Sequence, residues 1–388
     1  MKQRLINCRL FDGNSLHDAR DVVIESGRID AIIASDESVD CDEVVDLGGH
    51  LLAPGLIDLQ VNGGGGALFN AVPTLSALQA MADAHRSFGT TSFLPTLITD
   101  DDDVMDEAIA TVTQAIEEKL PGVIGIHLEG PHLNPRRRGV HDAGRMRPLD
   151  EKAFARLCSF SAGPTLLTVA PETLPAGVLA RLTEAGIIVC GGHSEASYDE
   201  TLMALREGLA GFTHLFNAMS GMQSRAPGMV GAALEDRSSF AGIIADGFHV
   251  HPAVFAVAVA AKSRGKLVLV SDAMPTVGSN IRQFILFGED VFAGDGRCVT
   301  ADGTLAGADI GLIEAVRNAA QFADIDVYEA LRMASSYPAE AIGVAAELGY
   351  IRAGYRANLV ELDDGLQVCR TWVDGGRREH ERKEAINV

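Results

Sequence analysis

The spacing of hydrophobic residues differs between the two ends of the chain and its middle. At residues 20–33 apolar and polar positions alternate around a turn at Ser26 and Gly27, which is typical of half-buried strands in a hairpin. Residues 357–376 alternate similarly and contain Asp-Gly and Gly-Gly pairs, which favour tight turns. No convincing helical pattern precedes Pro54. We therefore predict short strands at both ends that pair into one small β domain.

In the middle of the chain, runs of β-type apolar residues alternate with helical segments. There are about eight runs, the number that a closed parallel barrel requires. The runs cover residues 55–61, 91–98, 122–130, 165–172, 186–194, 211–218, 240–249 and 267–273. The pattern predicts an α/β fold, with a (β/α)8 TIM-like barrel at residues 54–349. A small β-sandwich domain is expected from both chain ends, residues 1–53 and 350–388.

Helical segments fill most of the gaps between these runs. They are predicted at Leu75–Phe88, Val104–Leu120, Lys152–Phe160, Ala176–Ala185, Asp199–Gly208, Pro252–Ser263, Ile310–Phe322 and Val327–Ala334. Residues 284–307 are rich in glycine and aspartate and are expected to form an inserted hairpin. A doubly wound open sheet is the alternative fold. It is disfavoured because the contiguous glycines at 63–66 do not have the G-x-G-x-x-G spacing.

The charge balance limits the partners that the chain can have. Its net charge is -21, and such a surface repels nucleic acid and anionic membranes, so we expect neither. The six cysteines form no C-x-x-C pair, which argues against a disulfide framework and a cysteine zinc site. The first residues lack the apolar run of a signal peptide, and the longest apolar stretch, near residues 253–261, is too short to span a bilayer. We predict a cytoplasmic protein.

Polar residues stand at the carboxyl ends of several predicted strands. They are Gln60, Asn62, Glu129, His193, His214, Asp246 and Asp272. In a (β/α) barrel these ends meet at one mouth, where the catalytic groups lie. Two histidines and a glutamate are a known ligand set for catalytic zinc with one position open to water.

Taken singly, each of these residues has a plainer explanation. A histidine at a strand end can be a hydrogen-bonded structural residue, and Asp272 can cap the loop that follows it. Their joint occurrence at the same end of different strands is harder to explain in that way and favours a metal site.

Eight segments together resemble the N-acetylglucosamine-6-phosphate deacetylases of the amidohydrolase superfamily. The segments are PGLIDLQVNGGGG, HLEGPHLN, GGHS, THLFNAM, APGMVGA, IADGFHVHP, SDAM and DGTLAGAD. They lie in family order from Pro54 to Asp309 and cover essentially the whole barrel. GGHS or SDA alone occurs often by chance, so the combination carries the resemblance.

The resemblance implies hydrolysis of the acetamide of an amino sugar phosphate. The implied metal ligands are Glu129, His193 and His214. The implied acid/base is Asp272, and His141 is implied to act near the acetamide. The implied substrate contacts are Val140, His141, Asn217, Ala218, Arg225, His249, Leu305, Ala306 and Gly307. The chemistry agrees, because a divalent cation lowers the pKa of bound water toward about 7 and Asp272 can carry the proton to the leaving amine.

The first predicted strand departs from a pattern that many amidohydrolases share. They carry His-x-His where this chain has Gln60-Val61-Asn62, whose neutral amides are poor ligands for a transition metal. No lysine follows the fourth run that could become a bridging carbamate. Both points favour one divalent ion per subunit. Zinc is the first expectation, and Fe²⁺, Mn²⁺ and Co²⁺ accept the same ligands.

Three groups of basic residues are candidates for a role at the site. His132 replaces a residue that is usually aromatic or apolar in the family, and a surface histidine is favoured over a group that stacks on the sugar. The run Arg136–Arg138 either forms a solvated loop or draws in a sugar phosphate, and the sequence does not separate the two. Arg225 is better placed for the phosphate because a guanidinium can bind it through two hydrogen bonds.

A loop in the second half of the barrel predicts a homodimer. Ser220–Met229 has few charges and several glycines and methionines, and an exposed apolar loop usually marks an interface. The resemblance implies that Arg225 and His249 reach the phosphate in the neighbouring subunit of a two-fold dimer. The alternative is a loop that folds over its own barrel as a lid.

The sequence fits other functions to different degrees. N-acetylgalactosamine 6-phosphate is an alternative substrate, and no residue decides between the two sugars. Cyclic amidases of the dihydroorotase or hydantoinase kind usually carry the two-metal first strand that this chain lacks. A non-catalytic relative would have lost a metal ligand or the base, yet Glu129, His193, His214 and Asp272 are all present.

Overall fold

Eight parallel strands form a barrel in the computed structural model, which describes residues 1–381. The barrel strands are Leu56–Val61, Thr90–Ile98, Ile126–Glu129, Thr165–Val169, Ile188–Gly191, Gly211–Phe212, Phe240–Ile243 and Leu267–Leu269. The chain returns to the first strand after the eighth, where the Asp272 amide donates to the Gln60 carbonyl at 3.0 Å. Val61 and Ala273 form a parallel bridge at the same place. The sheet therefore closes, and the open-sheet alternative is excluded.

Helices cover the outside of the barrel. The α-helices are Leu75–Arg86, Asp102–Glu117, Glu151–Leu157, Val178–Glu184, Tyr198–Arg206, Gly228–Glu235, Pro252–Ala261, Leu312–Ala323, Val327–Met333 and Ser336–Ala341, with short 3-10 turns at Pro135–Arg137 and Pro171–Thr173. All eight predicted helices are present, with ends shifted by up to three residues. The barrel strands are buried along nearly their whole length, because the helices cover one face and the barrel interior covers the other.

Two helices were not predicted, and each lacks the usual signal. Gly228–Glu235 is apolar on nearly every side and mostly buried, so no amphipathic period marks it. Ser336–Ala341 has only six residues and contains Pro338.

Two further sheets are built from the ends of the chain. The amino-terminal strands are Lys2–Ile6, Arg9–Phe11, Leu16–His17, Arg20–Glu25, Arg28–Ala34, Glu43–Asp46 and Leu51–Pro54, and the carboxyl-terminal strands are Leu359–Leu362, Val368–Val373 and Gly376–Glu379. The end sheet, as we call the six-stranded one, joins both sets because Leu359–Leu362 pairs antiparallel with Leu51–Pro54. The predicted fold class is confirmed, while the division at residues 53/54 and 349/350 stays a prediction.

The inserted segment is larger than the expected hairpin. Four antiparallel strands, Gln283–Leu286, Glu289–Gly294, Arg297–Thr300 and Leu305–Ala308, form one sheet in sequence order. A short two-stranded ladder, Gly63–Gly64 with Ala67–Leu68, follows the first barrel strand. The four-stranded sheet lies beside the barrel mouth, since Ala308 donates its backbone N–H to the Asp272 carbonyl at 2.9 Å.

No helix among residues 1–381 is long and apolar enough to cross a membrane.

Candidate active site

Glu129, His193 and His214 converge at the mouth of the barrel. Glu129 ends the third barrel strand, and the two histidines follow the fifth and sixth strands. Glu129 Oε1 lies 3.0 Å from His193 Nε2 and 2.9 Å from His214 Nε2, and the two Nε2 atoms are 3.0 Å apart. All three side chains are buried. The structure thus brings the three predicted ligands together.

Several site residues adopt a left-handed backbone conformation. The φ angles are +48° at His193, +33° at His214 and +50° at Asp272. For residues with a Cβ this conformation costs on the order of 1–3 kcal/mol, and such strain is concentrated at functional sites. Here the left-handed backbone belongs to groups that meet at the barrel mouth, which supports a functional arrangement.

The hydrogen-bond chemistry of the three groups fits a bound cation. His193 Nδ1 lies 2.8 Å from the Arg137 carbonyl, and because a carbonyl only accepts, Nδ1 carries the hydrogen. In this tautomer Nε2, 3.0 Å from Glu129 Oε1, is the atom that would bind a metal ion. Burial alone would raise the pKa of Glu129, but the contacts with His193 and His214 hold it well below the usual range. Acceptor atoms around one point, with an outer hydrogen bond fixing a tautomer, suit a divalent metal ion.

Asp272 lies beside this cluster and is held by two amides from the first barrel strand. Its Oδ1 accepts from Gln60 Nε2 at 3.1 Å and from Asn62 Nδ2 at 2.7 Å. The same Gln60 amide lies 3.2 Å from Glu129 Oε2. Burial, with the negative charge of Glu129, raises the pKa of Asp272 to about 6. A carboxylate that titrates near neutrality can both accept and return a proton.

His141 approaches the cluster from the loop after the third barrel strand. Its Nδ1 is 2.9 Å from Thr99 Oγ1, and its Nε2 is 3.9 Å from Glu129 Oε1. Burial and the neighbouring His193 hold the pKa of His141 well below the usual range. The ring is therefore neutral, and the backbone N–H of Thr99 points at Nδ1 at 3.4 Å. With Nδ1 as the acceptor, Nε2–H is left as a donor for a bound group.

A cavity of about 190 Å³ opens over these residues. Nearly every predicted site residue lines it: Glu129, Val140, His141, His193, His214, Asn217, Ala218, His249, Asp272, Leu305, Ala306 and Gly307. The contributing loops follow most of the barrel strands, which is the arrangement expected for a barrel active site.

His249 is anchored by Asp246, the acidic residue after the seventh barrel strand. His249 Nδ1 lies 2.5 Å from Asp246 Oδ2, and Asp246 Oδ1 accepts from the backbone N–H groups of Phe248 and His249 at 2.8 Å each. Asp246 does not line the cavity. It orients the histidine that does, and the carboxylate fixes the hydrogen on Nδ1.

Arg225 is the one predicted substrate residue that the structure does not bring to the cavity. It lies in the exposed part of the 220–229 loop, residues 221–226. Met222 in the same loop is 57% exposed. The expected exposure of this loop is confirmed for residues 221–226, whereas Met229 is buried in the following helix.

Several cavity residues were not predicted. Leu286 and Thr304 belong to the inserted segment, and Ile98, Gly139 and Met274 lie on or after barrel strands. Sequence signals existed for three of them: Gly139 and Thr304 directly precede the predicted contacts Val140 and Leu305, and Met274 lies in the SDAM segment. The sequence places Gln60 and Asn62 at a strand end but does not indicate their role. Their neutral amides indicate only that the His-x-His metal ligands of other amidohydrolases are absent.

His132 does not lie on the surface as expected. It is 2% exposed, and its Nδ1 lies 2.9 Å from the Arg147 carbonyl. Burial lowers its pKa to about 4. It does not line the cavity, so it neither stacks on a ligand there nor meets solvent. The surface interpretation was wrong because the surrounding loop folds over the ring.

Within the run Arg136–Arg138, one arginine has a structural role that the sequence did not suggest. Arg137 pairs with Glu195 through its side chain, and its carbonyl orients His193. Arg138 lies beside the cavity rim with its guanidinium 3.4 Å from the His141 carbonyl. Arg136 is exposed.

The chain matches the model of the Amidohydrolase family over residues 51–378. It is 43% identical to an N-acetylgalactosamine-6-phosphate deacetylase of Shewanella sp. (strain ANA-3), over 84% of this chain and 82% of that protein. It is 35% identical to an N-acetylglucosamine-6-phosphate deacetylase of Haemophilus influenzae, over 98% of this chain and 100% of that one.

A solved structure is similar over nearly the whole chain. The crystal structure of N-acetylglucosamine-6-phosphate deacetylase from Pasteurella multocida superimposes with a TM-score of 0.95 at 35% identity. The match covers 98% of this chain and 100% of that one, so the barrel and the end sheets are both included.

Proposed function

The chain belongs to the amidohydrolase family, and we propose that it hydrolyses the acetamide of N-acetyl-D-glucosamine 6-phosphate to D-glucosamine 6-phosphate and acetate. The observation that carries the proposal is the convergence of three acceptor groups beside Asp272 in one buried cavity. Relatives that match it along nearly the whole chain are named for this deacetylation.

One divalent ion is assigned to Glu129, His193 and His214, with zinc as the expected metal. When bound, such an ion lowers the pKa of water toward about 7 and so supplies a nucleophile for an amide. A single ion is supported by the first strand, where Gln60 and Asn62 use their amides to hold Asp272. The amide N–H groups thus serve the carboxylate, and neutral amide oxygens are poor ligands for a transition metal.

Asp272 is assigned the proton transfers. Its carboxylate takes a proton from the attacking water as the water oxygen bonds to the acetyl carbon. It then delivers that proton to the sugar nitrogen as the carbon–nitrogen bond breaks, which releases acetate and the free amine. The hydrogen bonds from Gln60 and Asn62 hold the carboxylate in one orientation, which suits a group that acts twice.

His141 is assigned to the acetamide oxygen. A neutral ring with its Nε2–H free to donate stabilises negative charge on that oxygen as the tetrahedral intermediate forms. His141 Nε2 lies 3.9 Å from Glu129 Oε1, and the rings of His141 and His193 have their centroids 4.4 Å apart. This proximity to the assigned metal ligands supports a role for His141 beside the acetamide.

The sugar and its phosphate are assigned to the outer part of the cavity. Val140, Asn217, Ala218 and Leu305–Gly307 line the cavity and would contact the sugar. His249 also lines the cavity, held by Asp246, and would meet the phosphate.

Arg225 would complete the phosphate site from the partner of a homodimer. It is exposed and lies outside the cavity of its own chain. The helix Pro252–Ala261 packs beside the helix that follows this loop, and it presents an apolar outer face, with Val254 39% and Val257 56% exposed. Exposed apolar surface on adjacent elements supports an interface between two copies. The cytoplasmic location stays a prediction.

N-acetyl-D-galactosamine 6-phosphate is the second candidate substrate. The Shewanella relative at 43% identity is named for this sugar, and the two sugars differ only in the configuration of one hydroxyl. Values of kcat/KM for both substrates decide between them, and a larger value for the galactosamine compound would reverse the assignment.

The deacetylation itself is tested with purified, zinc-loaded protein. We expect acetate and free amine in equal amounts from N-acetylglucosamine 6-phosphate, and much less from N-acetylglucosamine without the phosphate. Dihydroorotate serves as the control for a cyclic amidase. Turnover of dihydroorotate alone, or no acetate from either sugar phosphate with the metal bound, would reject the proposed function.

A further inference from the structure

A second cluster of metal-ligating side chains lies in the end sheet, outside the cavity. It consists of His50, Glu361 and Cys369, whose ligand atoms all lie within 4.8 Å of one another. His50 Nδ1 is 2.8 Å from Glu361 Oε1. We propose that these three residues bind one divalent transition-metal ion of the zinc type.

Cys369 reaches this cluster because of a β-bulge. Glu361 pairs with Arg370 and Leu362 pairs with Val368, so Cys369 is the extra residue between them. In a regular strand successive side chains point to opposite faces. A bulge re-aims one of them, and here the thiol of Cys369 comes close to the Glu361 carboxylate.

The buried carboxylate of Glu361 is stabilised by positive charge close to it. Its side chain is 1% exposed, and Oε2 has no hydrogen-bond partner among residues 1–381. The guanidinium of Arg370 lies 3.3 Å from Oε2 but also contacts the Asp46 carbonyl at 3.0 Å and Glu379 at 3.6 Å. A buried carboxylate is costly unless it is paired or coordinates a metal. Arg370 faces Oε2, so a cation held by Glu361 Oε1, His50 and Cys369 would add positive charge on the other oxygen of the same buried carboxylate.

The ligand types select the class of metal. A thiolate and an imidazole favour Zn²⁺ or Co²⁺ over Mg²⁺ and Ca²⁺, which prefer oxygen ligands. Cys369 would lose its proton to solvent when the metal–sulfur bond forms, and His50 would bind through its neutral ring. The His50 side chain is 26% exposed, so a water molecule can complete a tetrahedral site.

The site would tie the two ends of the chain together. His50 directly precedes the strand Leu51–Pro54, while Glu361 and Cys369 belong to the next two strands of the end sheet. His50 and Glu361 are separated by 311 positions. A metal bound across them would stabilise the folded end sheet relative to the unfolded chain.

The test uses full-length protein that is stripped of metal and titrated with Co²⁺. Cysteine coordination gives a thiolate-to-cobalt charge-transfer absorption band. The catalytic cavity cannot produce this band, because none of the residues lining it is a cysteine. We expect the wild type to show the band and Cys369→Ser to lose both the band and one ion per chain. Cys158→Ser, which changes an exposed cysteine, is the control and should keep both.

His50→Gln provides a second variant at a half-exposed position, in case Cys369→Ser does not fold. It should weaken cobalt binding at this site by tenfold or more and leave deacetylation unchanged. Absence of the band in wild-type protein, or its persistence in folded Cys369→Ser protein, would overturn the proposal. Deacetylase activity measured in the same samples keeps a failure here distinct from a failure of the proposed function.

Discussion

The side-chain amide of Asn62 donates a 2.7 Å hydrogen bond to the carboxylate of Asp272, across 210 positions of sequence. This bond favours the ionised carboxylate, whereas burial and the charge of Glu129 raise its pKa to about 6. Asn62 therefore orients the proposed acid/base and lowers its pKa against the larger effects of burial and Glu129.

Replacing Asn62 by leucine tests this relationship. Asn62→Leu keeps a similar volume but removes the donor, and we expect kcat to fall about tenfold, the scale of one hydrogen bond to a charged group. The acidic limb of the kcat/KM profile should move to higher pH, because the ionised carboxylate has lost a donor. Gln79→Leu, an exposed amide on the outer helix Leu75–Arg86, is the matched control. An unshifted profile would show that Asn62 is only structural.

Asp272→Asn tests the proton transfers directly. The amide has nearly the same shape but cannot accept the proton, so kcat should fall on the order of 10³-fold or more. Metal content and substrate affinity should stay near normal, as measured by elemental analysis and by binding of the intact sugar phosphate. Turnover close to that of wild type would assign the proton transfers to another residue.

The metal assignment predicts which residues are needed for metal binding and activity. Glu129→Ala, His193→Ala and His214→Ala should each lose one ion per chain and nearly all activity, because three protein ligands are the minimum for a catalytic site of this type. His17→Ala, on the amino-terminal side of the end sheet with its side chain 41% exposed, is the control. Full metal occupancy in any of the three variants would remove that residue from the site.

Buried histidines predict acid sensitivity of the fold. His85 is fully buried with Nε2 2.8 Å from the Gly63 carbonyl, and burial lowers its pKa to about 4. Between pH 4 and 6.5 the unfolded chain binds a proton that the folded chain does not. Neutral His85 therefore contributes fully to the free energy of unfolding above pH 6.5, and this contribution is lost as the pH falls toward 4.

His85→Gln tests that sign, because glutamine can still donate to the Gly63 carbonyl but does not titrate. The decrease in the free energy of unfolding from pH 7 to pH 5 should be smaller by about 2 kcal/mol in this variant. Urea unfolding at the two pH values measures it, with His17→Gln as the exposed control. An equal decrease in His85→Gln and wild type would mean that other groups cause the acid sensitivity.

Arg225 tests whether two chains share each phosphate site. Arg225→Ala should raise KM for the phosphorylated sugar much more than for N-acetylglucosamine, because the lost guanidinium binds only the phosphate. Co-assembly of Arg225→Ala with Asp272→Asn chains should restore part of the activity that each lacks alone. Verified heterodimers without recovery would show that each subunit supplies its own arginine or none.

The sequence by itself determined the class of fold and most residues of the candidate site. Strand and helix periods depend on neighbouring residues, so the eight apolar runs and eight of the helices could be recognised locally. The residues Glu129, His193, His214 and Asp272 follow those runs, and parallel strands place such ends at one mouth. This rule predicts that the four residues lie close together, although it gives no distances between them.

Only the tertiary structure decided how these groups are held. The bonds from Gln60 and Asn62 to Asp272 exist because the barrel closes its first strand against its eighth, a contact over more than 200 positions that no local pattern encodes. The burial of His132 and the Cys369 bulge likewise depend on loops and strands that are distant in sequence. Hydrophobic periods specify which face of an element is buried, but the partner of each polar atom is set by packing between elements.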